Sequence, residues 1–109
     1  MAIKDLTKIK RHLLICNSGS CTMNGAAETT RTIREEIRQC GLHEQIHTSK
    51  TMCNGRCDDG TIVIVMPDNI WYKNVSAKVG KKIVYEHLKN DKPLEDFVLW
   101  RFGDDQIND

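Results

Sequence analysis

The chain has 109 residues, which is the length of one domain, and its 39% hydrophobic and 28% charged residues exclude a disordered chain and a membrane-like one. Sixteen Lys and Arg against fifteen Asp and Glu leave a formal charge of +1. This near balance gives no general reason to expect binding to nucleic acid or to an anionic membrane. We therefore expect a single domain over residues 1–109.

The first half of the chain predicts a strand, a helix and a second strand. The apolar run at residues 12–16 predicts the first strand. Over residues 26–40, apolar or small side chains recur at steps of four and three, which predicts a helix that stops at Gly41. A weaker strand is expected at residues 45–48, and a loop at residues 51–60.

The second half predicts a hairpin and a helix. Residues 61–66 are β-branched almost throughout, so we expect a strand that is buried on both faces. Residues 70–72 follow a turn and predict its hairpin partner. The apolar stripe over residues 75–89 predicts the second helix. At the two ends, we expect an N-terminal extension over residues 1–11 and a frayed acidic tail over residues 104–109.

This order of elements, β-α-β followed by β-β-α, predicts an α/β fold with a small mixed sheet and two main helices, resembling thioredoxin. The first unit implies a parallel pair of strands with a helical crossover. The second unit implies an antiparallel hairpin that is backed by a helix.

Five cysteines are the outlying feature of the composition. Cys16 and Cys21 are spaced C-x4-C, Cys53 and Cys57 are spaced C-x3-C, and both pairs lie among small or polar residues after expected strands. Such loops can wrap an ion, and their glycines let backbone N–H groups turn toward a sulfur. We therefore expect both pairs to ligate a metal. Cys40 lies on the apolar stripe of the first helix and is interpreted as a small buried hydrophobe.

The start of the chain and its thiols predict a cytoplasmic protein. Charged residues interrupt the first sixteen positions, so we expect no secretory leader there, and no apolar run approaches the ~18–20 residues of a membrane span. Thiols stay reduced in the cytoplasm, where clustered cysteines bind metal or carry out redox chemistry more often than they form structural disulfides.

The cysteine spacing distinguishes between kinds of metal site. Structural zinc sites usually use C-x2-C knuckles, whereas wider intervals suit two irons bridged by two sulfides, with one cysteine pair on each iron. A Rieske centre would need two histidine ligands near cysteines. The histidines all fall outside the cysteine loops and are interpreted as ordinary strand-edge or helix-surface residues: His12, His43, His47 and His87. A zinc-binding interaction module and a catalytic dithiol at Cys21 stay open as alternatives.

The residues around the cysteines add a family resemblance. The arrangement C-x4-C, then C-N-G-R-C-D-D-G from Cys53 to Gly60, then Pro67 and Trp71-Tyr72, resembles the thioredoxin-like [2Fe-2S] ferredoxins over residues 12–100. The same domain occurs as the small iron–sulfur subunit of respiratory complex I and of related NAD-linked hydrogenases and formate dehydrogenases. A subunit of such a complex is therefore a further alternative.

The resemblance implies a one-electron carrier rather than an enzyme, and often a homodimer. Redox proteins are the implied partners, with neither donor nor acceptor specified, and we expect no nucleic-acid or membrane partner. A [2Fe-2S] cluster is the implied cofactor, and its implied ligands are Cys16, Cys21, Cys53 and Cys57. The C-x4-C interval resembles the complex-subunit form, but the short stretch before the first strand favours a free carrier.

Two kinds of residue near the motif have expected roles of their own. Arg56 would stabilise a reduced cluster, with a solvated loop charge as the alternative, whereas Asp58 and Asp59 would repel the added electron or mark a docking rim. Trp71 and Tyr72 are interpreted as core residues, with a place near the cluster or at a dimer face as the alternative.

Overall fold

The computed structural model describes residues 4–17, 25–56 and 59–108. Short 3-10 turns lie at Leu6–Lys8 and Glu95–Phe97. The main elements, in chain order, are β1 (Arg11–Cys16), α1 (Ala26–Gln39), β2 (Ile46–Thr51), β3 (Val63–Met66), β4 (Ile70–Tyr72), α2 (Ala77–Lys82) with a π-helical continuation (Ile83–Lys89), and β5 (Val98–Arg101).

The strands form one mixed sheet in the order β2-β1-β3-β4-β5. β1 and β2 run parallel, and Cys16 and Thr51, their last residues, lie opposite each other. The β1–β3, β3–β4 and β4–β5 pairs are antiparallel. The α/β class, the parallel pair and the hairpin expected from the sequence are thus confirmed, and β5 is an edge strand that the sequence analysis did not predict.

Both helices cover one face of the sheet and pack against each other. At their contact, a Cβ added to Gly80 would lie 2.8 Å from Ile33 Cγ1, so the absent side chain allows the close approach. The main core joins helix residues Ile33, Ile37, Val79, Ile83, Val84 and Leu88 to strand residues Leu13, Ile15, Val63, Val65, Ile70 and Tyr72. Of the helices in the described segments, none is long and apolar enough to cross a bilayer.

The other face of the sheet carries a second, smaller core. Its buried members are Cys16, Ala26, Ile62, Ile64 and Leu99, with Leu14 and Trp71 packed against them. Successive residues of a strand point to opposite faces, so β3 sends Val63 and Val65 toward the helices and Ile64 away from them. The expectation that this strand is buried on both faces is confirmed.

The second helix changes from α to π geometry at Ile83. Ser76 caps its start, because the Ser76 Oγ accepts a hydrogen bond from Val79 N–H at 3.2 Å. The predicted apolar stripe takes a step of five residues from Ile83 to Leu88, which is the hydrogen-bond interval of a π-helix.

The prediction that His87 lies on a helix surface is wrong. Its side chain is 1% exposed, because it follows Ile83 by four positions and Val84 by three and so shares their inward face. His43 is exposed in a turn. The rings of His12 and His47 lie on the neighbouring strands β1 and β2, with centroids 4.9 Å apart.

The described part of the acidic tail, residues 104–108, is hydrogen-bonded to β5. Asp104 Oδ2 accepts from Arg101 N–H at 3.2 Å, and the backbone N–H of Asn108 donates to Leu99 O at 2.8 Å. The Trp100 indole N–H also donates to Asp104 O, at 3.0 Å. These bonds hold the segment against the edge strand.

Candidate metal centre

The carboxyl ends of β1 and β2 bring two of the four predicted ligands to one edge of the sheet. Cys16 is the last residue of β1, and Cys53 comes two residues after the end of β2. Because the strands are parallel neighbours, their carboxyl ends meet at the same edge. The Cys16 Sγ–H donates to Met52 O at 3.5 Å, so this sulfur lies beside the segment that carries Cys53.

The second member of each cysteine pair, Cys21 and Cys57, lies outside the described residues, as does Asp58. Asn17, from which the chain continues toward Cys21, is held at the same edge, since its backbone N–H donates to Thr51 O at 2.9 Å. Within residues 4–17, 25–56 and 59–108, no three His, Cys, Asp or Glu side chains form a metal-binding group. The convergence of all four sulfurs stays a prediction.

The two described sulfurs have different surroundings. Cys16 is 1% exposed and belongs to the smaller core, where its backbone N–H donates to Ile62 O at 3.0 Å. Cys53 is exposed. A metal group held by both would have one side against the protein interior and the other toward solvent, where a partner can approach.

A backbone donor points at the exposed sulfur. Gly55 N–H donates to Cys53 Sγ at 3.3 Å, and Gly55 has φ +83°, a conformation that glycine adopts without strain. An N–H···S bond stabilises the negative charge on a thiolate and on a cluster bound to it. The sequence predicted such donors in this loop, and the donor chemistry around Cys16 and Cys53 fits an iron–sulfur cluster.

Comparison with known proteins gives the family. No family model matches the chain. A Priestia megaterium protein assigned as a 2Fe-2S ferredoxin is 41% identical over 98 residues, which cover 90% of this chain and 76% of that protein. A Clostridium pasteurianum protein named as a 2Fe-2S ferredoxin is 33% identical over 94 residues, which cover 79% of this chain and 92% of that protein. The chain belongs to the [2Fe-2S] ferredoxin family.

The fold of this ferredoxin agrees with the sequence match. The solved structure of a thioredoxin-like [2Fe-2S] ferredoxin from Aquifex aeolicus superimposes with a TM-score of 0.82 at 28% identity. The superposition covers 88% of this chain and 96% of that one. The family resemblance and the thioredoxin-like fold expected from the sequence are therefore confirmed.

In this ferredoxin, two residues that follow the second cysteine pair, Asp59 and Thr61, are anchored to the segment that precedes α2. Asn74 N–H donates to Asp59 O at 2.8 Å, and Val75 N–H donates to Thr61 O at 3.0 Å. Thr29 of α1 donates its hydroxyl to Val75 O at 2.9 Å, which links the same segment to the first helix. Asp59 and Thr61 are thus tied, through Asn74 and Val75, to the helical layer.

We expect Gly60→Ala to destabilise this anchor. Gly60 has φ +71°, and a Cβ built there would lie 2.7 Å from Asn74 Oδ1 and 3.3 Å from Asn74 Cα. A side chain at positive φ costs about 1 kcal/mol, and the clash with Asn74 adds about 1–3 kcal/mol more. Urea unfolding measures the loss of stability.

Gly41→Ala is the matched control for that substitution. Gly41 has nearly the same φ, +70°, but no atom of the described residues lies within 4 Å of a Cβ built there. It should show the backbone cost alone. Equal losses for the two variants would contradict a specific contact between Gly60 and Asn74.

Cys40 lies apart from the ligand loops, at the C-terminal cap of α1. Its side chain is partly rather than fully buried, packs against the main core and donates to Glu36 Oε1 at 3.7 Å. Burial raises the pKa of this thiol, and the Glu36 carboxylate raises it further. Cys40 therefore stays a neutral thiol at neutral pH, consistent with a structural role.

Trp71 and Tyr72 point to opposite faces of β4. Tyr72 is fully buried in the main core, which agrees with its interpretation as a core residue. Trp71 packs against the smaller core and meets Trp100 of β5 edge to face, with ring centroids 6.4 Å apart.

A buried chain of hydrogen bonds connects Tyr72 to Asp68, and the sequence analysis missed it. His87 lies between the two, with Nε2 2.8 Å from Asp68 Oδ2 and Nδ1 2.7 Å from the Tyr72 hydroxyl. Leu94 N–H donates to the Tyr72 oxygen at 3.1 Å, and Arg11 Nε donates to Asp68 Oδ1 at 3.2 Å. In neutral His87, Nε2–H donates to the carboxylate and Nδ1 accepts from Tyr72.

Burial and hydrogen bonding shift the pKa of each titratable residue in this hydrogen-bonded group in a definite direction. Burial lowers the pKa of His87 more than the hydrogen bond to Asp68 raises it. Burial acts to raise the pKa of Asp68, but hydrogen bonds from His87 and Arg11 outweigh it, so the pKa is lowered. Burial raises the pKa of Tyr72 to about 12. At neutral pH, His87 is therefore a neutral imidazole, Asp68 is an ionised carboxylate and Tyr72 is a neutral phenol.

Proposed function

We propose that this ferredoxin is a one-electron carrier whose [2Fe-2S] cluster is held by four cysteines. The observation that carries the proposal is the approach of Cys16 to the segment that bears Cys53, in a chain of this family. Each of these residues has a second cysteine four or five positions further along the chain, so a short turn would be enough to bring that partner back. The ligand set is Cys16, Cys21, Cys53 and Cys57.

The cluster supplies reversible one-electron chemistry, and the residues of the chain bind it and set its reduction potential. The added electron makes an already negative group of thiolates, sulfides and irons more negative. The Gly55 N–H bond to Cys53 favours that reduced form, whereas burial of Cys16 in an apolar core disfavours it. Because no substrate bond is made or broken, the protein acts as a carrier and not as an enzyme.

Redox partners would approach at the edge of the sheet that carries Cys53. Met52 is 81% exposed beside this cysteine, although its backbone oxygen accepts hydrogen bonds from Asn54 and Thr51. A fixed backbone with a projecting thioether suits contact with a partner protein. The matched residues cover 92% of the Clostridium relative, and that relative is itself named as a 2Fe-2S ferredoxin, so we propose a free carrier in preference to a subunit of a large oxidoreductase.

We also propose a homodimer that works in the cytoplasm, where its five cysteines stay reduced. An aromatic surface supports the dimer. Phe102 is 76% exposed and meets Trp100 edge to face, with centroids 6.4 Å apart. Contact of such a surface with another apolar surface is more favourable than its exposure to water. Sedimentation equilibrium should give the mass of two chains, and the mass of one chain would contradict the dimer.

The absorption spectrum of anaerobically purified protein tests the carrier proposal. We expect red-brown protein that contains about two irons and two sulfides per chain and takes up one electron. Colourless protein with about one zinc per chain would favour a zinc-binding module instead. Iron-free protein that catalyses disulfide turnover would favour a dithiol reductase.

A further inference from the structure

We propose that a basic cleft at the start of the edge strand β2 binds a small molecule that carries a phosphate or diphosphate group. The cleft lies between the N-terminal segment, the second half of α1 and the first residues of β2. The inference goes beyond the proposed function, because the site shares no residue with the ligand loops.

The cleft is a concave space of about 280 Å³. Ile37 and Ile46 line its inner side and are each only 4% exposed, so the main core sets its shape. Two histidines and a threonine also line it. No carboxylate of the described residues lines this space, whereas three cations do: Lys4, Arg34 and Arg38. A chain whose net charge is only +1 thus gathers three positive charges in one depression.

Hydrogen bonds to β2 and the turn before it hold two of these cations in place. Lys4 Nζ donates to the carbonyl oxygens of His43 and Ile46, to the latter at 3.1 Å. Arg34 Nε donates to Thr48 Oγ1 at 2.8 Å. The bond to Thr48 uses one of the five N–H donors of the guanidinium. The terminal N–H groups of Arg34 are therefore available to a ligand, on a side chain that is already positioned.

Arg38 adds a second guanidinium to the same face of α1. It follows Arg34 by one helical turn, and like charges at this spacing repel. In the part of the chain that the structure describes, the ion pairs involve neither arginine. A cation in the last turn suits the helix dipole, but the dipole does not account for the approach of Lys4 from another segment. A bound anion would relieve the repulsion among all three.

The nearest carboxylates line an adjoining hollow of about 400 Å³, where Asp5 and Glu44 lie beside Lys8. Asp5 is turned toward Thr7, because its Oδ1 accepts from the Thr7 backbone N–H at 3.0 Å and from the Thr7 hydroxyl at 2.6 Å. Glu44 is exposed. The two carboxylates are outnumbered by the basic side chains of the two spaces, which are Lys4, Lys8, Arg34 and Arg38.

The donors and the shape of the cleft favour a phosphate group on a small molecule. A guanidinium presents paired N–H groups that match two oxygens of one phosphate, and a diphosphate can bridge several cations. The volume lies at the lower end of small-ligand sites. A group has to enter the depression to reach its isoleucine floor, which a flat protein surface does not do.

Calorimetric titration of the iron-loaded protein with inorganic pyrophosphate at low salt tests the site. We expect one pyrophosphate to bind per chain, with an affinity that added salt weakens. Arg38→Gln should weaken binding about tenfold or more, because it removes a charged hydrogen-bond donor. Arg38→Lys keeps the charge but loses the paired donors, so it should cause a smaller loss. Arg38 is exposed, and an unchanged thermal midpoint would verify that both variants fold.

Arg31→Gln is the matched control. Arg31 precedes Arg38 by seven positions, so it lies on the same face of α1 about 10 Å away, but it lines neither space. This variant should bind pyrophosphate like the wild type. The cleft is at the start of β2 and Cys53 follows its end, about 16 Å along the strand, so the titration should leave the visible absorption unchanged.

Three outcomes would overturn the inference. One is the absence of pyrophosphate binding to the wild type at low salt, and another is equal weakening in Arg31→Gln and Arg38→Gln, which would indicate an effect of net charge. The third is tighter binding of an oligoglutamate peptide than of pyrophosphate, which would indicate an acidic protein segment as the ligand. Wild-type protein that binds pyrophosphate but never contains iron would defeat the proposed function and leave this inference standing.

Discussion

Replacing Cys53 by serine should abolish the visible absorption of the ferredoxin or distort it severely. A serine hydroxyl is a much poorer ligand for iron than a thiolate. Because Cys53 is exposed in a loop, the substitution removes little packing, so the fold should persist. Absorption spectra with iron and sulfide analysis measure the loss, which we expect to be several-fold or more.

Cys40→Ser is the control, since it makes the same chemical change away from the ligand loops. Cys40 caps α1 and bonds to Glu36, so the spectrum of this variant should stay nearly that of the wild type. Cys16→Ser should behave like Cys53→Ser, with an added loss of stability because Cys16 is buried. Loss of colour in Cys40→Ser with colour retained in Cys53→Ser would show that the ligand set is wrong.

Lowering the pH below about 6.5 should weaken folding through His87. Burial lowers the pKa of His87 from its ordinary 6.5, so the unfolded chain binds this proton more tightly than the folded chain does. The stabilisation is therefore fully present above pH 6.5 and is lost as the pH falls through that value toward the folded pKa. Asp68 has a lowered pKa, and its contribution is lost below its ordinary 3.8. Urea unfolding at a series of pH values measures both losses.

Substitution of His87 separates its contribution from the others. The glutamine in His87→Gln takes up no proton, so this variant should have a flatter curve of unfolding free energy between pH 7 and 5. At pH 8 the substitution should lower the unfolding free energy by about 2–4 kcal/mol, because Tyr72 and Asp68 lose a buried partner. The pKa of His12 is lowered as well, mainly by burial and secondly by the charge of His47. His12 therefore accounts for the pH dependence of stability that remains in His87→Gln. His43→Gln, at an exposed turn, is the control. A wild-type slope in His87→Gln would contradict the role of His87.

Local patterns were enough to predict most of the fold and the edge that carries the cysteines. The apolar runs before Cys16 and after Gly60 predict strands, and the steps of four and three after residue 26 predict α1, because burial of one face needs that periodicity. The loop position of Cys53 was predicted from spacing and small residues alone, whereas Cys21 and Cys57 lie outside the described residues. β5 was missed although Val98, Leu99 and Trp100 carried a signal, because a four-residue edge strand exists only through its pairing with β4.

The buried hydrogen-bond chain depends on contacts that are remote in sequence. Asp68 and Arg11 are 57 positions apart, and Asp68 and His87 are 19 apart, so no local pattern reveals them. The inward position of His87 was available from its spacing to Ile83 and Val84, but a histidine is more often exposed than buried. The Arg56–Asp59 pair is local, yet sequence does not distinguish paired charges from two solvated ones.

On the proposed ligand set, the alignment of Cys16 with Thr51 makes iron uptake a report on correct folding. A slip of one residue between β1 and β2 would displace their ends by about 3.3 Å and turn every side chain of one strand to the opposite face. The sulfurs of Cys16 and Cys53 would then be unable to share one inorganic group. Colour in freshly made protein would thus distinguish properly registered molecules from compact but mispaired ones, before any other assay is run.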